Sequence, residues 1–147
     1  MRVRVRPLEA RDKSDWLALF RGYIAFYEAN VPGDVIEVTW QRLLDAREPG
    51  MIGLVAVTAD DRPIGLANLV FHRSTWSPTW YCYLEDLFVE PNARGAGIGR
   101  ALIEAVYVAA DARGATRTYW ATGETNARAR ALYDQVATRS PFVQYRR

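Results

Sequence analysis

The stretch Arg94-Gly95-Ala96-Gly97-Ile98-Gly99-Arg100 constrains this chain more than any other. It follows the apolar run Leu87-Phe88-Val89 and the stop signal Pro91-Asn92, and it opens a helical pattern from Ala101 to Arg113. Glycines in alternate positions remove the β-carbons that would hold a ligand off the main chain, while a new helix turns its unpaired N–H groups toward the same place. The stretch therefore predicts an anion cradle suited to phosphate.

The rest of the composition narrows the class. The 147 residues, half of them hydrophobic, predict a single domain, 1–147, with a real core. A net charge of +2, with arginine spread along the chain and no basic block, argues against nucleic acid as a direct partner. Cys82 is the sole cysteine, so no internal disulfide is available and a reducing, cytoplasmic setting is expected. A single histidine without partner ligands argues against a metal site. No apolar stretch approaches the roughly 20 residues of a membrane span, and no signal-type apolar region follows the basic N-terminus, so no membrane association is expected.

Val3 and Val5 alternate with Arg2, Arg4 and Arg6, which predicts a strand with a solvated basic face, closed by Pro7. Helical spacing of Leu17, Phe20, Ile24 and Tyr27 predicts a helix from Ser14 to about Glu28, whose Tyr23, Phe26 and Tyr27 stripe reads as core rather than as a pocket lining. After the turn residues Asn30-Val31-Pro32-Gly33 a shorter helix is expected over Thr39–Arg47, capped by Thr39, with Asp34 and Glu37 in the loop before it. Met51–Thr58 and Pro63–Phe71 read as a β-hairpin, Ser74–Thr79 as a loop and Trp80–Val89 as the next strand. Strict alternation places Glu85 and Asp86 on opposite faces of that strand unless a bulge intervenes, so a carboxylate faces each side of an apolar element. Such a placement is costly unless the strand opens there onto solvent or a site. Ala115–Ala121 should lie parallel and adjacent to it, joined through the glycine loop and its helix. The last helix, Asn126–Val136, puts Asn126 and Tyr133 on one face, and the tail Pro141–Tyr145 has strand character.

Two common phosphate loops do not match. A Walker loop requires Gly-Lys-Ser/Thr where this chain has Gly99-Arg100-Ala101, and a dinucleotide fold requires different glycine spacing after its first strand. Leu84-Glu85-Asp86-Leu87-Phe88-Val89-x-Pro91-x-x-Arg94-Gly95-x-Gly97-Ile98-Gly99 instead resembles the acyl-CoA motif of the GCN5-related N-acetyltransferase superfamily. Asn126-x-x-Ala129-x-x-Leu132-Tyr133 is similar to that family's second motif, and Tyr119-Trp120…Glu124-x-Asn126 resembles its histone- and polyamine-acetylating branch.

The resemblance implies an α/β fold with a mixed, mostly antiparallel sheet, splayed near Leu87 and flanked by helices on both faces. It implies acetyl-CoA as the donor, with main-chain N–H groups of Arg94, Gly95, Ala96, Gly97, Ile98, Gly99 and Arg100 holding its pyrophosphate. Leu87, Phe88 and Val89 would pair with the pantetheine arm, Asn126 would hydrogen-bond the cofactor, and Tyr133 would protonate the departing thiolate. Transfer would be direct, in a ternary complex. An amine with a lysine-like pKa of about 10.4 must lose a proton before it attacks, so a base is needed, and Glu85 or Asp86 is the candidate. Tyr27, Glu28 and Glu85 are the candidate acceptor-binding residues, and the acidic set favours a small-molecule or peptide amine that is cationic, such as a polyamine or a lysine side chain. A CoA-binding module without catalysis, and acetylation of a protein N-terminus or basic tail within a complex, stand as alternatives, and the strand-like tail offers a surface for a homodimer. After Tyr133 the family pattern has a glycine and an aromatic residue, where this chain has Val136-Ala137-Thr138, which disfavours a left-handed helix stop.

Overall fold

A computed structural model describes residues 3–147. Five strands stand in sequence order, β1 (Arg4–Pro7), β2 (Met51–Val57), β3 (Pro63–Ser74), β4 (Ser77–Val89) and β5 (Ala115–Tyr119). The first four are antiparallel to their neighbours, and β5 runs parallel to β4, as expected for strands joined by a crossover helix. Helices α1 (Lys13–Phe26) and α2 (Gly33–Leu44) cover one face. Helix α3 (Ile98–Ala112) covers the other, with α4 (Ala127–Val136) packed beside it through Leu132, Tyr133 and Val136.

Alternation along β2 and β3 divides the core between the two faces. Leu54, Ala56, Ala67 and Leu69 meet Leu102, Ile103 and Val106 of α3, whereas Val55, Val57 and Leu66 meet Trp16, Phe20 and Trp40. Trp16 lies 5.0 Å from Phe20 and 5.3 Å from Trp40 between ring centroids and forms the centre of the second cluster.

Three expectations need correction. Helix α2 begins at Gly33, so Asp34 and Glu37 are helical, and Thr39 is an interior residue whose hydroxyl donates to Val35 O at 3.0 Å. Pro32-Gly33, read as a turn, leads into the helix, and Ile36, Trp40 and Leu43 carry the buried stripe. The loop expected over Ser74–Thr79 is a tight hairpin, because β3 and β4 stay paired as far as Ser74 and Ser77. The tail after Ala137 forms no strand, and Phe142, Val143 and Tyr145 are exposed. Helix α4 leaves through an extended Ala137 (φ −151°), consistent with the missing glycine.

The basic face of β1 is also only partly solvated. Arg2 lies outside the described residues and Arg4 is exposed, but Arg6 is buried. Its guanidinium donates two hydrogen bonds to Asp12, at 2.8 and 2.9 Å, and a third to Asp61 at 2.9 Å. The hydrogen bond from Arg6 holds the Asp12 carboxyl below its ordinary value, against the opposing effect of burial. A depressed folded pKa means that this pair stabilises the fold above the unfolded carboxylate value of about 3.9 and loses its effect as pH falls through the folded value. Asp12→Asn should therefore cost about 3–5 kcal/mol in urea denaturation at neutral pH. The gap from wild type should close below about pH 4, the range set by that carboxyl.

Candidate active site

Strands β4 and β5 part after a short pairing. Their register runs from Trp80 opposite Ala115 to Tyr83 opposite Tyr119 and stops, while β4 continues beside β3 to Val89. At the parting point β4 bulges. Asn68 opposes Asp86 and Leu69 opposes Leu84, so Glu85 is the extra residue. The bulge shifts the alternation by one. Cys82 and Leu84 face α3 before it, Leu87 and Val89 pack toward α3 after it, and Phe88 joins the α1 side. Asp86 turns in beneath α1, where Asn68 Nδ2 donates to it at 3.1 Å, and Glu85 is left exposed.

The open edge of β4 has a definite chemistry. Glu90 N–H donates to Ile64 O at 2.8 Å, continuing the register in which Phe88 opposes Leu66. Hydrogen-bonded positions alternate with open ones in an antiparallel pair, so Phe88 turns its backbone to β3 while Leu87 and Val89 turn theirs into the gap. The expectation that all three residues offer backbone groups is thus narrowed to two. Phe88 contributes its side chain instead. Arg94 Nε donates to Val89 O at 3.1 Å and its guanidinium lies 5.3 Å from the Phe88 ring centroid.

The glycine loop completes the gap from the other side. Gly95 and Gly97 take left-handed φ values of 86° and 78°, and a β-carbon at either would meet nothing within 4 Å. These glycines serve backbone conformation, and they border open space. Gly99 differs: a β-carbon there would come within 3.3 Å of Leu132, so this glycine lets α4 approach α3. Ala101 N–H is bound to Gly97 O at 3.1 Å, which leaves the amides of Ile98, Gly99 and Arg100 as the unpaired first turn of α3.

A groove of about 580 Å³ joins these parts, walled by Leu87, Phe88, Val89, Arg94, Gly95, Gly97, Ile98, Gly99 and Arg100 on one side and by Asn126 and Tyr133 of the α4 region on the other. Tyr23 and Tyr27 of the α1 end close it. Ala96 is exposed on the loop, and Glu28, beyond the end of α1 at φ 52°, is exposed outside the groove walls. Neither Glu85 nor Asp86 lines the groove itself. Asn126 caps α4, accepting from Ala129 N–H at 3.5 Å and donating to Thr122 Oγ1 at 3.3 Å. The Tyr133 ring is held edge-on to Trp120, with centroids 5.4 Å apart, and burial pushes its phenol up to about 12.

Residues missed in the sequence gather around the half-buried carboxylate of Asp86. Trp16 Nε1 donates to Asn68 Oδ1 at 3.4 Å, Asn68 donates to Asp86, and the Tyr23 hydroxyl donates to Glu85 O at 3.3 Å while lying against Asp86. Burial, more than the neighbouring Glu85, raises Asp86 to about 6, with Asn68 and Tyr23 acting in the opposite direction. A lone asparagine inside the apolar run Pro63–Phe71 was the available signal for this network. On the open face near β5, His72 Nε2 and the Tyr119 hydroxyl share a hydrogen bond of 2.6 Å, and Tyr83 lies 4.8 Å from Tyr119 between centroids.

The groove fits a long donor with an anionic head and a peptide-like arm: three unpaired helix amides, a left-handed glycine cradle and a strand edge that can take one more partner. Comparison with known proteins agrees. The acetyltransferase (GNAT) family model matches residues 16–137. A D-amino-acid N-acetyltransferase of Saccharomyces cerevisiae is 34% identical over 99% of this chain and 91% of that protein. A thialysine N-epsilon-acetyltransferase of Caenorhabditis elegans is 32% identical over 63% of this chain and 56% of its own length. Among solved structures, a Trypanosoma brucei acetyltransferase superposes with a TM-score of 0.75 at 25% identity, covering 99% of this chain and 98% of that one. An aminoglycoside N-acetyltransferase in complex with CoA shares the fold, with a TM-score of 0.83 at 19% identity over 99% of this chain and 94% of that one. With the motif, the sheet topology and the groove in agreement with these matches, the chain belongs to the acetyltransferase (GNAT) family, whose members are acetyl-CoA-dependent N-acetyltransferases.

Proposed function

We propose that this protein passes an acetyl group directly from acetyl-CoA to a primary amine of a small cationic acceptor. The observation that carries the reading is the convergence, in one groove, of the α3 amides, the open edge of Leu87 and Val89, and the Tyr133 hydroxyl. Acetyl-CoA brings an activated acyl carbon and a thiolate leaving group. The chain supplies position and charge. Amides of Ile98, Gly99 and Arg100, with the main chain of Arg94 to Gly97, offer donors to the pyrophosphate. The outward N–H of Val89 or Leu87 is placed to donate to the carbonyl oxygen as it gains charge.

Tyr133 has a raised pKa, so its hydroxyl stays protonated across the working range. That favours hydrogen-bond donation to the sulfur as the C–S bond breaks, with proton transfer completing late. Asp86, at about 6, is ionised at neutral pH and has the charge of a base although it lies outside the groove walls, and the exposed Glu85 adds negative charge beside it. The names of the yeast and nematode relatives, one an acetyltransferase of D-amino acids and the other of an N-epsilon amine, support a small amine acceptor.

Isothermal titration with acetyl-CoA and thiol release against a panel of polyamines, lysine and D-amino acids test the reading. Binding with turnover on at least one amine is expected, and binding without thiol release across the panel would reduce the protein to a CoA-binding module. Tyr133→Phe should lower kcat by about 100-fold with little change in acetyl-CoA affinity. Gly97→Ala places a β-carbon on a left-handed residue at a strain of about 1–3 kcal/mol and should weaken acetyl-CoA binding about tenfold.

A further inference from the structure

Asp86 has the chemistry of a base but not the position of one, since it lies beneath α1 and does not line the groove. Tyr23 does line the groove, and its hydroxyl also lies against Asp86. In the resting structure this hydroxyl donates to Glu85 O at 3.3 Å, a long and weak bond, with the Asp86 carboxylate as a second acceptor against it. Asp86 is in turn fixed by Asn68, and Asn68 by Trp16, whose ring is 1% exposed. The chain Trp16–Asn68–Asp86–Tyr23 thus spans α1, β3 and β4 and ends at the groove.

We propose that Tyr23 carries the proton from the acceptor ammonium to Asp86. The inference rests on the acetyltransferase reading of the same groove. In the step, one N–H bond of the ammonium breaks and its proton joins the Tyr23 oxygen. At the same time the Tyr23 O–H bond breaks and that proton joins an Asp86 carboxylate oxygen. The amine is left neutral with a free lone pair, Tyr23 is neutral before and after, and the charge on Asp86 is discharged. Burial holds the Tyr23 phenol well above its ordinary value, which excludes a tyrosinate stage and requires the two transfers to be concerted. The step requires the Tyr23 hydroxyl to turn from Glu85 O to Asp86.

Asn68 and Asp86 are positioning residues in this scheme, acting through Tyr23. The groups that face Asp86 are Glu85 on its own strand, Tyr23 from α1 and Asn68 from β3. Glu85 raises the proton affinity of Asp86, and Asn68 and Tyr23 lower it by donating toward the carboxylate. In the wild type, kcat/KM should rise with pH through an apparent value near 6, because only ionised Asp86 accepts the proton.

Tyr23→Phe, Asp86→Asn and Asn68→Ala are compared with wild type by thiol release across pH 5–9, with acetyl-CoA affinity measured in parallel by titration. Tyr23→Phe should lower kcat by about 100-fold while acetyl-CoA affinity and acceptor KM change less than threefold. Asp86→Asn should abolish the rise near 6, and Asn68→Ala should move it upward. Circular dichroism melts check folding. If Asp86→Asn is unfolded, the Tyr23→Phe and Asn68→Ala profiles decide alone. A Tyr23→Phe enzyme with wild-type kcat and an unmoved profile overturns the relay while leaving the acetyltransferase reading intact. A folded wild-type protein that binds acetyl-CoA but acetylates no amine instead fails that underlying reading.

Discussion

The structure depends on one interruption of hydrogen bonding. Strand β4 keeps its pairing with β3 to Val89 but loses β5 after Tyr83. Strand edges ordinarily invite another strand, and here the edge lies inside the molecule, walled by α4 and capped by the first turn of α3. An extended ligand arm is the partner that such an edge lacks. The bulge at Glu85 sits at the parting point and has a second effect. By shifting the alternation it turns Asp86 under α1 while Leu87 and Val89 continue to pack toward α3.

The two carboxylates at the bulge therefore take different chemistries from a difference of one residue. Glu85 is exposed and contributes charge. Asp86 is half-buried, raised toward neutrality by its surroundings and moderated by two hydrogen-bonding neighbours. A hydrophobic site that raised the carboxyl without Asn68 and Tyr23 would leave it protonated over more of the working range. The buried Arg6–Asp12 pair on β1 shows the contrasting case, in which a matched cation lowers a carboxyl and serves the fold alone.

Much of this was legible because the glycine loop, the apolar strand before it and the Asn126–Tyr133 spacing are local patterns with few structural solutions. The parallel β5 and the helix after the loop followed from them, whereas a bulge stood only as the alternative to strict alternation and its position at Glu85 came from the pairing of β3 with β4. Other features were not local. Asp12 reaches Arg6 through a turn, and Asp61 reaches it from the β2–β3 hairpin, so the alternation of Arg2, Arg4 and Arg6 read as a solvated face. Tyr23 sat in an aromatic stripe that reads as core before it reads as a pocket lining, and only its approach to Asp86 distinguishes it. The start of α2 was missed because Pro32-Gly33 serves helix entry as well as turns.

Backbone amide exchange, read residue by residue by NMR with and without CoA, tests the account most directly. Leu87 and Val89 face the gap and should gain protection on CoA binding, together with Ile98, Gly99 and Arg100. Phe88 is already bonded to β3 and should change little. Protection confined to the glycine loop, or equal at Leu87, Phe88 and Val89, would contradict the claim that the parted edge of β4 is where the donor lies.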